Sequence, residues 1–182
     1  GIQGGGALLI GTGLTMVDVA LVLGSRGVGL HAVSRHGLMP LAHVLPSSPP
    51  VETTFPEGAR LPELVRILRA RVAETDDWRA VIDGLRPQTQ ALWRSLSTAE
   101  QEQFLRHARR YWDAHRHRVA PAVGERLAEL RTFGQLVVSK GSVVSVSPGA
   151  NGRLDVVVRS RRTGADMTLE VEYVVNCTGP GI

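Results

Sequence analysis

The chain has 182 residues, 43% of them hydrophobic, enough to bury the core of one sizeable domain or two small ones. Its 21 Lys and Arg against 17 Asp and Glu leave a formal charge of +4, spread along the chain, which gives only mild support for a phosphate-bearing partner. The single cysteine, Cys177, excludes an internal disulfide framework and a thiolate zinc cluster, and no apolar run approaches the roughly 20 residues that span a bilayer; a cytoplasmic protein is expected.

The opening GIQGGG reads as a linker, a remnant or a cut through a larger protein, with no basic segment leading an apolar one. Residues 7–10 (ALLI) then read as a short buried strand, and Val17, Ala20 and Leu21 fall at helical spacing until Gly24. A second strand is expected at 28–33 (VGLHAV), which completes a βαβ unit with parallel strands and a right-handed connection. Residues 39–60 hold five prolines among Ser and Thr, a composition that breaks regular structure and suggests an ordered excursion over the surface.

From Pro62 to Thr132 the texture is helical. Leu64, Val65, Leu68 and Val72 share one face, Trp78, Val81 and Ile82 another, and Leu92 and Trp93 a third. Ser97 followed by Glu100 is a capping box, predicted to open a helix that carries Phe104, Leu105, His107, Ala108, Tyr111 and Trp112. Pro121 starts a last helix that Gly134 ends. The period then drops to two: strands are expected at 136–146, 153–159 and 167–172, separated by Gly-rich turns in the manner of an antiparallel meander. A final apolar strand, 173–175, runs into Asn176-Cys177-Thr178-Gly179-Pro180.

The strand-to-helix turn Gly11-Thr12-Gly13 carries the most chemistry. A phosphate at a helix N-terminus meets free backbone N–H groups and the positive end of the dipole, provided no side chain blocks it. Gly11 allows the tight turn and Gly13 the close approach, while Met16 stands where a third glycine would be expected and should set the helix slightly farther from the strand. On its own the turn is either a nucleotide cradle or a structural turn. At the end of the second strand, where an NAD-binding unit places an acidic residue, stands Ser34-Arg35-His36, which reads as an NADP preference. Arg35 would stack on adenine and, with Ser34, hold the 2′-phosphate; the plain alternative makes Arg35 a solvated charge.

The other dense constellation is His107, Tyr111, Trp112, His115, His117 and Arg118. His107, Tyr111 and His115 are four apart and share one helical face, but the spacing suits no metal site. In one reading they line, with Arg109 and Arg118, a cleft between the helical segment and the nucleotide domain, with His107 or His115 as a proton shuttle. In the other, His107 and Tyr111 are core residues and the arginines a solvated face. Trp78, Trp93 and Trp112 are read as packing residues of short helices.

Taken together, LLIGTGLTMVDVAL, the meander of 136–172 and VVNCTGP resemble the two-dinucleotide-domain flavoproteins, in particular the flavin monooxygenase-like branch. DWRAVIDGLRPQTQALWRSL and FLRHARRYWDAHRHRVAP resemble the narrower bacterial group of FAD-NAD(P)-binding, or FAD-dependent, oxidoreductases, so the likeness covers nearly the whole chain. It implies that Gly11, Thr12, Gly13, Leu14 and Thr15 surround the pyrophosphate and that Ser34 and Arg35 meet the adenosine phosphate. Thr178 and Gly179 would lie near the seam of FAD and nicotinamide, and Asp18 would be structural. Such proteins carry an earlier Gly-rich FAD fingerprint; this chain starts at the second one and stops just after Gly179, so a fragment that holds FAD poorly by itself is expected.

The expected fold is α/β. A Rossmann-like NAD(P)-binding unit (7–38) is followed by a proline-rich excursion and all-helical insert (39–133), an antiparallel β-meander (134–172), and a closing strand with a Thr-Gly turn (173–182). The expected function is the NADP(H)-binding portion of an FAD-dependent oxidoreductase, with a nucleotide cofactor and a small-molecule substrate as partners, no nucleic acid and no membrane. A nucleotide-binding regulatory module without redox activity is the alternative. A basic nucleic-acid-binding domain is weaker, because Glu100, Glu102, Asp113, Glu125 and Glu129 interleave with the basic residues. No GxSxG turn supports a hydrolase.

Overall fold

Alternate residues of the first strand face two different cores, and that alternation organises the sheet. In the computed structural model, which describes residues 6–179, β1 (Gly6–Ile10) sends Ala7 and Leu9 to one face and Leu8 and Ile10 to the other. The expected Gly-rich lead-in at 1–5 and the end of the last turn at 180–182 lie outside the described residues. The chain forms two units, 1–42 with 119–182 and 43–118.

The first unit holds a six-stranded mixed sheet in the order β5 (Asp166–Val171), β4 (Leu154–Ser160), β3 (Leu136–Pro148), β2 (Gly29–Ser34), β1, β6 (Tyr173–Asn176). β1 pairs in parallel with β2 (Gly29–Ser34) through the helix α1 (Leu14–Gly24), the expected βαβ unit, and with β6 (Tyr173–Asn176) on its other side. The helix labelled α7 (Pro121–Thr132) begins with proline in its first turn and ends before Gly134 at φ +71°. Sequence reading made α7 the last helix of the insert; it belongs instead to the sheet's unit, where Leu127 and Leu130 join Ala7, Leu9, Met16, Val17, Ala20, Leu30 and Leu136 in one core. Met16, in the place of the missing third glycine, is fully buried in that core among the small residues Ala7, Ala20 and Ala32.

The strand β3 (Leu136–Pro148) does more than open a meander. Its first half pairs in parallel with β2, from Leu30 opposite Leu136 to Ser34 opposite Lys140, and its second half pairs antiparallel with β4 (Leu154–Ser160). The change comes at Gly141, where an added Cβ would lie 2.6 Å from the Arg159 carbonyl, and at an irregularity between Val143 and Ser145. β5 (Asp166–Val171) completes the antiparallel part, and Val156, Val158 and Val171 pack with Leu8 and Val33 into a second core. Helices therefore cover one face of the parallel strands and the meander covers the other.

In the second unit the described elements are helical: α2 (Leu61–Ala73), α3 (Trp78–Leu85), α4 (Thr89–Ser95), α5 (Thr98–His107) and α6 (Arg109–Arg116). The capping box is present: Ser97 Oγ donates to Glu100 Oε2 at 2.6 Å, and the Glu100 N–H returns to Ser97 Oγ at 3.4 Å. Glu100 also accepts from the Leu61 N–H (3.1 Å) and Arg60 Nε (3.2 Å), so one carboxylate closes the start of α2 as well as that of α5. The long helix expected through Trp112 is broken at Ala108, whose φ of −108° leaves the helical range, so α5 and α6 are separate. Among the described residues no helix is long and apolar enough to cross a membrane.

Candidate functional site

The carboxyl ends of β1, β2 and β6 and the bend of β3 open onto one crevice of about 420 Å³, lined by Gly11, Thr12, Gly13, Ser34, Arg35, Ser142, Cys177 and Thr178 among others. In an open parallel sheet ligands bind where the connections diverge. Here the chain leaves β1 toward β2 and β3 on one side, and β6 lies on the other, so the crevice sits at that divergence.

Two glycines of the turn have different structural reasons. Gly11 has φ +105°, and a Cβ there would stand 2.7 Å from the Cys177 carbonyl oxygen, so the backbone conformation and the close passage of the β6 exit both require glycine. Gly13, at φ −83°, is the N-cap of α1, and a Cβ there would meet nothing within 4 Å. Its missing side chain leaves open space in front of the helix. No side chain caps α1 and no acidic residue stands in its first turn, so the first backbone N–H groups, at Leu14 and Thr15, lack an intrahelical acceptor in a positive field.

The hydroxyls of the turn are committed to the protein. Thr12, buried, donates its Oγ1 hydrogen to the Leu38 carbonyl, which can only accept. Ser34 Oγ must then donate to Thr12 Oγ1 across 2.8 Å, and it accepts from the Gly37 N–H at 3.0 Å. In this arrangement Ser34 helps to pin the turn after β2. Arg35 is exposed and makes no hydrogen bond or ion pair with other described residues. Thr178 donates its N–H (3.1 Å) and its hydroxyl (2.7 Å) to Asn176 Oδ1, which shapes the β6 exit, and Gly179 follows at φ +76°. The Cys177 N–H bonds the Ile10 carbonyl at 2.7 Å, and burial pushes its thiol up, away from the reactive thiolate.

Sequence reading missed the part of β3 that walls this crevice, Gly141, Ser142 and Val143. The available signal was Gly141 itself, a glycine inside a strand pattern that marks a bend or a close approach. Beside it, His31 Nε2 and Ser139 Oγ are 2.8 Å apart under the sheet, and burial lowers the histidine pKa, which keeps the ring neutral.

The histidine constellation lies in the second unit and does not form the face read from sequence. The break at Ala108 puts His107 on α5, exposed, while Tyr111 and His115 are on α6. Tyr111 is 50% exposed, so neither it nor His107 is a core residue. His115 Nδ1 donates to the Tyr111 carbonyl at 2.7 Å, and its ring meets Trp78 edge-on with centroids 4.7 Å apart. Arg79 lies over the same indole at 4.4 Å. Arg118, its side chain only 1% exposed, pairs with Asp83, which also binds Arg86 at 3.1 Å.

No protein-family profile matches the chain and no curated protein sequence does. Solved structures do match. L-lysine 6-monooxygenase from Pseudomonas syringae is similar at 19% identity and a TM-score of 0.55, over 100% of this chain and 37% of that one. The reduced form of ornithine hydroxylase from Pseudomonas aeruginosa gives 15% identity and 0.54, over 96% of this chain and 36% of that one. The cadaverine monooxygenase of desferrioxamine biosynthesis from Erwinia amylovora, bound to FAD, gives 12% and 0.57, over 98% and 36%. At these identities the likeness is one of fold: a mixed α/β unit of the kind found within these monooxygenases. The chain spans 37% of the first of these proteins.

Proposed function

We propose that the crevice holds NADP(H) and that the chain is the nucleotide-binding portion of an FAD-dependent oxidoreductase. The observation that carries this reading is the open start of α1: an uncapped helix N-terminus behind Gly13, with no side chain in front of it, at the carboxyl edge of a parallel sheet. The residues present fit the group. Backbone N–H groups of Leu14 and Thr15 would donate to the pyrophosphate across the space that Gly13 leaves, while Gly11 and the Thr12–Ser34 pair hold the turn in shape. Arg35, free of partners among the described residues, would supply the charged fork for the 2′-phosphate. Thr178 and Gly179 would border the nicotinamide end.

Bound there, NADPH would supply hydride for a flavin; the chain's own residues bind and orient it. The neighbours of like fold act on lysine, ornithine and cadaverine, and one is bound to FAD, which supports a flavin-dependent oxidoreductase as the whole protein. Calorimetric titration of this chain with NADPH and with NADH tests the nucleotide assignment. NADPH is expected to bind tighter, and Arg35→Ala to weaken it by about tenfold while leaving NADH unchanged, the size of one charge-assisted phosphate contact. Equal affinity for the two nucleotides, or an equal loss of both in the variant, would remove Arg35 from the phosphate site.

A further inference from the structure

In the second unit the helices leave an apolar hollow that is open to solvent. A cavity of about 320 Å³ opens among α2 to α6, walled by Leu64, Leu68, Leu92, Trp93, Phe104 and Trp112. In the cluster beside it Ala59, Leu61, Leu64 and Leu96 are buried, while Trp93 and Phe104, edge-to-face at 5.8 Å, are half-buried. The volume is that of a small-molecule pocket.

Its lining carries one ion pair, on a stretch of chain rich in arginine. Arg109 and Asp113 line it and touch through a single contact, Arg109 Nε to Asp113 Oδ2 at 3.5 Å, which leaves both terminal nitrogens of the guanidinium without a partner among the described residues. Asp113 is shared with His117 at 3.8 Å. It is the only carboxylate between residues 106 and 118, a stretch that also carries Arg106, Arg110 and Arg116. An apolar body matches the wall, and the free guanidinium nitrogens of Arg109 favour an anionic end over a cationic one.

We propose that this cavity binds an apolar carboxylate of about ten carbon atoms, alkyl or aryl, with its body between Leu64, Leu92 and Phe104 and its carboxylate on the Arg109 fork. The site lies wholly within the second unit, so it stands or falls independently of the nucleotide crevice.

Decanoate and decylammonium below their micelle concentrations, and decanol below its solubility limit, are titrated into the chain, with tryptophan fluorescence and calorimetry as readouts. One saturable decanoate site per chain is expected, about tenfold tighter than decanol, with decylammonium weakest. Arg109→Gln, at an exposed position, should bring decanoate to the level of decanol and leave decanol unchanged. Leu92→Trp, which fills the cavity, should abolish both with near-ultraviolet circular dichroism retained. Absence of saturable decanoate binding, equal affinity for decanoate and decylammonium, or insensitivity of the decanoate-to-decanol ratio to Arg109→Gln would overturn the proposal. So would sedimentation showing a dimer of the chain that decanoate neither binds nor dissociates, because the cavity would then be an interface between copies.

Discussion

A side chain at Gly11 would meet the Cys177 carbonyl at 2.7 Å, whereas one at Gly13 would meet nothing within 4 Å. Fold and proposed binding are thus separated at two residues of the same turn. Glu100 shows another concentration of roles in one side chain. The Ser97 hydroxyl, the Leu61 N–H, the Ser97 N–H and Arg60 together hold its carboxyl down to about 2, against an ordinary value of 4.5. A depressed folded-state pKa means that the ionised form stabilises the fold. That contribution is complete above the ordinary carboxylate range and is lost as pH falls through 4.5 toward 2. Thermal unfolding measured from about pH 7 downward should therefore show Glu100→Gln less stable than the parent near neutrality, with the difference shrinking below pH 4.5. A gap independent of pH would mean that hydrogen-bond geometry, not charge, is what Glu100 contributes.

Among the elements, α3 is set against an extended segment with no room between them. The Val51 N–H donates to the Ala80 carbonyl at 2.9 Å, and a Cβ on Gly84 would fall 1.9 Å from the Val51 carbonyl oxygen. Glycine to alanine inside a helix ordinarily stabilises by about 1 kcal/mol. Gly84→Ala should do the reverse and cost about 3 kcal/mol or more, because backbone must move; chemical denaturation measures it. An unchanged or higher stability would show that the segment at Val51 is free to shift. The same elements show what the sequence could and could not disclose. The βαβ unit, the capping box, the Pro121 start and the period-two strands were legible, since each rests on neighbours within one or two turns of chain. The double pairing of β3 was not, because parallel pairing with β2 depends on a partner far away in sequence and only Gly141 hints at the bend. The break at Ala108 was also hidden, as alanine is the best helix former and nothing local marks the change. That Gly11, Gly13, Ser34 and Arg35 line one crevice with Gly141, Ser142 and Val143 required coordinates, as did the hydrogen bonds of Ser34 to Thr12 and Gly37.

At the scale of the molecule, the sheet's unit is interrupted where two of its own segments are neighbours. Ala42 and Val119 form a parallel bridge, and the Val119 N–H bonds the Leu41 carbonyl at 3.0 Å, so the chain leaves and re-enters this unit at adjacent points. Replacing residues 43–118 by a flexible linker of about eight Gly and Ser residues should leave a folded sheet unit. On the reading proposed here it would keep NADPH affinity within about threefold, because every residue assigned to the nucleotide lies in that unit. A shortened chain that folds, by circular dichroism, yet binds no nucleotide would place an essential contact in the excised segment.

The central claim is that the space left by Gly13 is there for a phosphate, and Gly13→Val tests it most directly. Its Cβ enters open space at φ −83°, so the variant is expected to stay folded, at a cost of about 1 kcal/mol for valine at the N-cap. NADPH titrated into both proteins should then bind the parent and show no measurable binding to the variant. A variant that stays folded and binds NADPH as the parent does would contradict the claim and leave the glycine turn a turn alone.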